Sequence, residues 1–207
     1  MALLLALGLF ALGLWLNAGV ERRLRSNLSG QLQATLDSNV AAITIWLEAQ
    51  KQELERYAAE SRVGRALSSI AESAQQPDVT LNELQQSEPY REMHDAVLRL
   101  LERDDVLDVN GTDTAGLILF SAHDPTIVLH RITPTGAAQL AAVFVGQPVM
   151  LPPFQGRTLV DDEETEFDEE PIILVGCPVR DENDTIVGGL FLSIESGSDF
   201  TRLLDLG

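Results

Sequence analysis

Three histidines, one cysteine and a run of carboxylates are the side chains with which this chain could do chemistry, and their spacing argues against most of it. His94, His123 and His130 stand neither in an HExxH pattern nor four residues apart, so no two imidazoles share a helix face that could hold a zinc ion. Cys177 is the only thiol, which excludes an intrachain disulfide, a CxxC site and an all-cysteine metal site. Inside an apolar run, it reads as a small buried residue. Between Asp161 and Glu170, eight of ten positions are acidic, but the alternating ligands and fixed glycine of an EF-hand loop are missing, and a solvated loop is expected. No GxSxG, phosphate loop, Gly-rich dinucleotide turn or kinase motif occurs. The expectation is therefore a chain that is not an enzyme and carries neither metal nor cofactor.

Charge narrows the partners. The net charge is −18 over 207 residues. Residues 1–76 carry seven basic and seven acidic side chains and residues 77–207 carry seven and twenty-five, so all the excess lies in the second part. Such a surface repels phosphate backbones, and nucleic acid is excluded as a partner.

The elements that would position any site begin with an apolar segment. Ala2 to Val20 contain no charge, and 19 residues at about 1.5 Å each approach a hydrocarbon core of roughly 30 Å. Residues 1–20 are expected to form a transmembrane helix or uncleaved signal anchor, with a cleaved signal peptide as the alternative. Arg22, Arg23 and Arg25 follow the segment and favour keeping that side cytoplasmic, whereas long domains cross largely regardless of flanking charge. The expected arrangement is single-pass in the cell membrane with the domain outside.

Residues 21–76 contain no proline, and Leu24, Leu28, Leu32, Leu36, Val40, Ile43, Leu47 and Leu54 recur mostly at three- or four-residue steps. That spacing predicts one long stalk helix with an apolar stripe, a candidate for homodimer contact along its length. Thr80 and Glu83 form a capping-box pattern, and Ser87 can cap a helix running from about Pro89 to Arg103, with Tyr90, Met93, Val97 and Leu100 or Leu101 on one face. Asp104 to Asp113 is taken as a polar stretch between elements. Beyond it, Leu117–Ala122 and Ile127–Ile132 predict a hairpin, Thr133-Pro134 starts a helix ending near Gly146, and Val149–Leu151 adds a strand before Pro152-Pro153. The clearest hairpin joins Pro171–Arg180 to Thr185–Glu195 through Asp181-Glu182-Asn183-Asp184, with Gly188-Gly189 as a bulge signal. Ser198 could cap a terminal helix bearing Phe200, Leu203 and Leu204. About five short strands, an inserted helix and a preceding long helix make an α+β domain over residues 77–207.

Taken in order, the apolar segment, the long helix containing Ile45-Trp46-Leu47-Glu48-Ala49-Gln50-Lys51, the sheet and the final hairpin Cys177-Pro-Val-Arg-Asp-Glu-Asn-Asp-Thr-Ile-Val-Gly-Gly-Leu190 resemble the Cache family. These are extracytoplasmic PAS-like sensors of histidine kinases, chemoreceptors, cyclases and membrane-tethered kinases. The resemblance spans the whole chain. It implies an antiparallel PAS-like sheet flanked by helices, and a role in small-ligand sensing in transmembrane signal transduction. It also implies the membrane-distal module of a double-Cache receptor, hence a fragment whose output domain is missing. A secreted or periplasmic binding or scaffolding protein with a cleaved signal peptide is the alternative. Pockets in this family lie on one sheet face under the segment between the second and fourth strands, here about Thr133 to Glu170. The candidate ligand-binding residues are therefore Arg131 and Arg157, whose guanidinium groups could pair with a ligand carboxylate, and Phe154 as an apolar wall. Both arginines could equally sit in solvent or pair with the acidic surface. The ligand class is not carried over.

Overall fold

The computed structural model describes the backbone of residues 2–154 and 171–195 and the side chains of residues 28–154 and 171–195. The acidic run, Arg157 and the expected terminal helix lie outside the described residues. The chain divides into two compact units, with the boundary in the first helix between Ile45 and Trp46.

Helix α1 runs from Ala2 to Ala58. Among the described residues no helix is long and apolar enough to cross a membrane, and the side chains of the apolar segment at residues 1–20 are outside that set. Within the first unit Leu28, Leu32, Leu36 and Val40 are each more than half exposed, at four-residue steps along one side of the helix.

The second unit holds the sheet. Its helical part is not the single helix that the periodicity predicts, because α1 stops at Ala58 and α2 (Ser61–Ala74) begins after Glu60, whose backbone is extended. The reason is phase. Leu54, Tyr57 and Ala58 are buried at the end of α1, and Val63, Leu67 and Ile70 are buried in α2. On a continuous helix of 3.6 residues per turn the second set would fall on the side opposite the first. Breaking the helix lets both sets enter one core, each large side chain contributing about 1.5–3 kcal/mol by leaving water.

Helix α3 (Leu81–Gln86) starts with the expected capping box. The Thr80 amide donates to Glu83 Oε2 at 2.9 Å and the Glu83 amide donates to Thr80 Oγ1 at 3.3 Å. Helix α4 (Glu88–Leu101) is capped by Ser87, whose hydroxyl accepts from the Tyr90 amide, and buries Tyr90, Met93, Val97 and Leu100. Helix α5 (Pro134–Phe144) is capped by Thr133, which accepts from the Gly136 amide at 3.0 Å.

Five strands form one antiparallel sheet: β1 (Val106–Asp113), β2 (Ile118–Ser121), β3 (Val149–Phe154), β4 (Ile172–Arg180) and β5 (Ile186–Glu195), in spatial order β2-β1-β5-β4-β3. Two expectations fail here. The stretch from Asp104 to Asp113 contains β1, a strand inside the sheet, and Ile127–Ile132 is not a strand but a 3-10 turn (Pro125–Ile127) followed by one isolated bridge from Arg131 to Leu117. Strand β3 passes through Pro152 and Pro153 to Phe154, which an edge strand permits because its outer amides need no partner. In the last hairpin Asp184 takes the left-handed conformation (φ 62°), and Asp181 Oδ1 accepts from the amides of Asn183 and Thr185.

Helices α2 and α4 and the end of α1 cover one face of the sheet, over an apolar core that includes Val109, Phe120, Val175, Cys177, Leu190 and Leu192. Helix α5 packs on the other face over β3, β4 and β5, with Ile118, Leu140, Val143, Leu174 and Phe191 in a second, smaller core.

The approach of α2 to the sheet depends on Gly64. A Cβ there would lie 2.1 Å from the carbonyl oxygen of Arg180, which is backbone and cannot swing aside. Gly64→Ala is expected to destabilise the chain by about 1–3 kcal/mol. Gly30, with nothing within 4 Å of its own added Cβ, should tolerate alanine with unchanged or slightly raised stability. Urea midpoints of the two variants check this, and equal midpoints would refute the packing account.

Candidate functional site

Residues opposite one another in an antiparallel sheet share a face, so the register sorts every side chain. On the α5 side one row runs Val149, Gly176, Phe191, Asn110, Ser121 across β3-β4-β5-β1-β2. The next runs Leu151, Leu174, Ser193, Asp108, and on the other flank Gly189, Thr112 and Ile118 align. The ring of Phe191 lies over Gly176 and Gly189, where an added Cβ would come within 2.7 Å of it. The two glycines clear the sheet for this ring, and Val143 of α5 packs beside it.

The middle of this face is polar. Asn110, Thr112 and Ser193 are 1%, 0% and 2% exposed, and among the described residues Asn110 Oδ1, Thr112 Oγ1 and Ser193 Oγ each lack a hydrogen-bond partner. Asn110 and Thr112 are two residues apart on β1; Ser193 lies diagonally across from Asn110 on β5, and Thr112, opposite Gly189, stands four residues along from Ser193, roughly 13 Å at the usual rise of about 3.3 Å per residue. A buried polar group without a partner costs about 1–3 kcal/mol, so three on one face are a departure from ordinary core construction.

Beside them Asp108 is fully engaged. Its Oδ1 accepts from the amides of Val109 (2.7 Å), Ala122 (3.0 Å) and His123 (3.0 Å), and its Oδ2 accepts from the Ser121 hydroxyl (2.6 Å). The Asp124 amide donates in turn to Ser121 Oγ at 3.1 Å. The carboxylate thus organises the chain leaving β2. Tyr90 supports the same corner from α4 by donating to the Ser121 carbonyl at 2.8 Å, and burial pushes its phenol up from the ordinary value.

The residues singled out by sequence do not assemble. Phe154 is half-buried at the β3 edge, packed against the second core on the α5 side. Arg131 is exposed beyond the opposite edge, where its guanidinium donates to the Ala115 carbonyl at 3.0 Å. Five strand positions separate the two, roughly 24 Å at the usual spacing of about 4.8 Å. Arg157 lies outside the described residues. His94, His123 and His130 are not brought together, and among the described residues no group of three or more metal-ligating side chains occurs. Sequence reasoning passed over Asn110, Thr112 and Ser193. The available signal was the polar alternation Asp108, Asn110, Thr112 on β1, which reads as a solvated face until both faces are known to be covered; Ser193, alone in an apolar run of β5, gave no such pattern.

Cys177 sits on the opposite face, fully buried, with its sulfur 3.9 Å from the Lys51 carbonyl oxygen. Burial is the main cause that pushes its thiol up to about 12. A raised folded-state pKa favours the protonated form, so the associated stability is intact below the unfolded value near 9 and is lost as pH rises from there toward 12. A thiol reagent at pH 8 should therefore label Cys177 only after denaturation, and the urea midpoint should fall above pH 9 in the native chain but less in Cys177→Ala. Rapid labelling of the folded chain would contradict this placement.

No protein-family model and no curated protein matches the sequence. Solved structures do. The sensor domain of the V. cholerae histidine kinase DctB superposes with a TM-score of 0.60 at 15% identity, covering 86% of this chain and 60% of that one. The E. coli DcuS sensor domain gives 0.47 at 14% identity, covering 76% and 93%. The ligand-binding domain of the Pseudomonas aeruginosa amino acid chemoreceptor PctC, in complex with GABA, gives 0.43 at 15%, covering 80% and 60%. The chain thus spans about 60% of the length of the DctB domain it superposes on. At these identities the likeness is one of fold, and the described sheet and helices have the fold of the Cache-type sensor domains.

Proposed function

We propose that this chain is the extracytoplasmic ligand-sensing region of a membrane-anchored receptor, the membrane-distal module of a double-Cache arrangement, and that it binds a small molecule rather than catalysing a reaction. The observation that carries this reading is the superposition on the DctB sensor domain over 86% of the chain. The unpartnered polar groups beneath α5 support it, since a binding face tolerates a local cost that a purely structural core would not. The site includes Phe154 and leaves out Arg131, which is held by Ala115 at the far edge.

A route from this face to α1 is built into the second unit. Arg103 donates to Glu53 of α1 at 2.6 Å and to both carboxylate oxygens of Asp105, and the Asp105 carbonyl accepts from the Glu195 amide at the end of β5. Ligand contact on β5 would thereby bias the packing of α1, a shift between two arrangements passed toward the membrane. The anchor is the apolar segment at residues 1–20, and the exposed stripe Leu28, Leu32, Leu36 and Val40 is the surface on which two copies pair.

Two experiments test the proposal. Thermal melting of the full chain in detergent, screened against small carboxylates, amines and sugars, should give a clear rise for one class, with membrane-extracted chain retaining residues 1–20 by intact mass. Loss of that segment would remove the anchor, and a hydrolytic activity without any ligand shift would remove the sensing role. For pairing, Leu32→Cys and Ala34→Cys in a Cys177→Ala background should differ. Oxidation in membranes should cross-link the first efficiently and the second poorly, whereas equal yields would sink pairing through the stripe.

A further inference from the structure

We infer that the α5 face of the sheet recognises a small uncharged ligand bearing hydroxyl or amide donors, held by Asn110, Thr112 and Ser193. This rests on the sensing role proposed above and names the ligand class for that site. The argument begins with what is unsatisfied. Asn110 Oδ1 is solely an acceptor, so whatever completes it must present an N–H or O–H. Thr112 and Ser193 offer hydroxyls that donate and accept, so a ligand with several hydroxyl or amide groups can complete Asn110 together with a neighbouring hydroxyl on either side of it. Each side chain is more than nine-tenths buried and, by register, directed to the face under α5 rather than to the α2–α4 core.

Charge selects within that class. None of the three groups is ionised, and a charged ligand buried against neutral partners would forfeit far more solvation than they could return. The neighbouring carboxylate of Asp108 is no substitute counter-ion for an amine, because three backbone amides and the Ser121 hydroxyl already occupy it. An anion meets, in addition, a chain of net charge −18. Apolar bounds are supplied by Phe191 and Leu140 on one side and by Leu174 and Phe154 toward the β3 edge.

The full chain in detergent, followed by its tryptophan fluorescence during melting, is tested with ribitol, myo-inositol and malonamide, and with succinate and putrescine as charged compounds of similar size. At least one neutral compound should raise the melting temperature by roughly 5 °C at saturation, with no rise from the charged pair. Thr112→Val and Ser193→Ala remove unpartnered hydroxyls with little change of shape. Both should melt at or above the native temperature without ligand, yet bind the neutral compound at least tenfold more weakly. If either variant melts well below the native chain, its hydroxyl is already satisfied inside the protein and the inference is overturned. A rise from succinate or putrescine alone would overturn the ligand class and leave sensing standing, whereas no rise from any of the five, with the same null outcome in the wider screen, would overturn both.

Discussion

Pairing between the first strand and the last decides which side chain faces which core. Strand β1 enters after four helices, yet it must lie beside β5, more than 70 residues later, and a slip of one residue would exchange the faces of every side chain on it. The register is held by Gly188. A Cβ there would stand 1.8 Å from the Thr112 carbonyl oxygen, so the two backbones approach as they do only because position 188 has no side chain. With that contact in place Val109 turns toward α2 and α4, and Asn110 and Thr112 turn toward α5.

The two faces then carry different physics. Beneath α2 and α4 the sheet is lined by Val, Leu, Ile and Phe, and the burial of these side chains supplies most of the driving force for folding. Beneath α5 the apolar cluster is smaller, and buried polar oxygens without partners interrupt it. The first face can afford to hold the second in this state. Stability in one layer permits a costly arrangement in the other, and a costly arrangement is what a ligand can relieve.

The end of α1 packs in the core beneath α2 and α4, and charge and hydrogen bonding tie it to the end of β5. Arg103 ties Glu53 to Asp105, and the backbone of Asp105 receives the amide of Glu195 where β5 ends, two residues beyond Ser193. The Arg103 side chain is largely covered, so this bridge is less screened by solvent than the exposed pairs along α1 such as Lys51–Glu48. A movement of the strand end therefore has a short physical path to the helix.

Local chemistry was readable wherever it acts between near neighbours. The capping box of Thr80 and Glu83, the caps at Ser87 and Thr133 and the turn at Asp181–Asp184 each depend on contacts four or fewer residues apart, the apolar stripe of α4 shows in its three- and four-residue spacing, and each is found as expected. The helix break at Ala59–Glu60 was hidden because nothing local stops the helix. Only the demand that Leu54 and Val63 enter one core does so. Strand β1 was hidden for a related reason, since its polar side chains Asn110 and Thr112 suggest solvent, and their burial is a product of tertiary packing on both faces of the sheet. What sequence alone determined was the α+β class with its final hairpin, the acidic composition and the apolar first segment, because these follow from composition and short-range pattern. Tertiary structure decided that Arg131 and Phe154 stand at opposite edges while Asn110, Thr112 and Ser193 share one buried face, because strand order and register place Ser193 of β5 beside a strand more than 70 residues earlier.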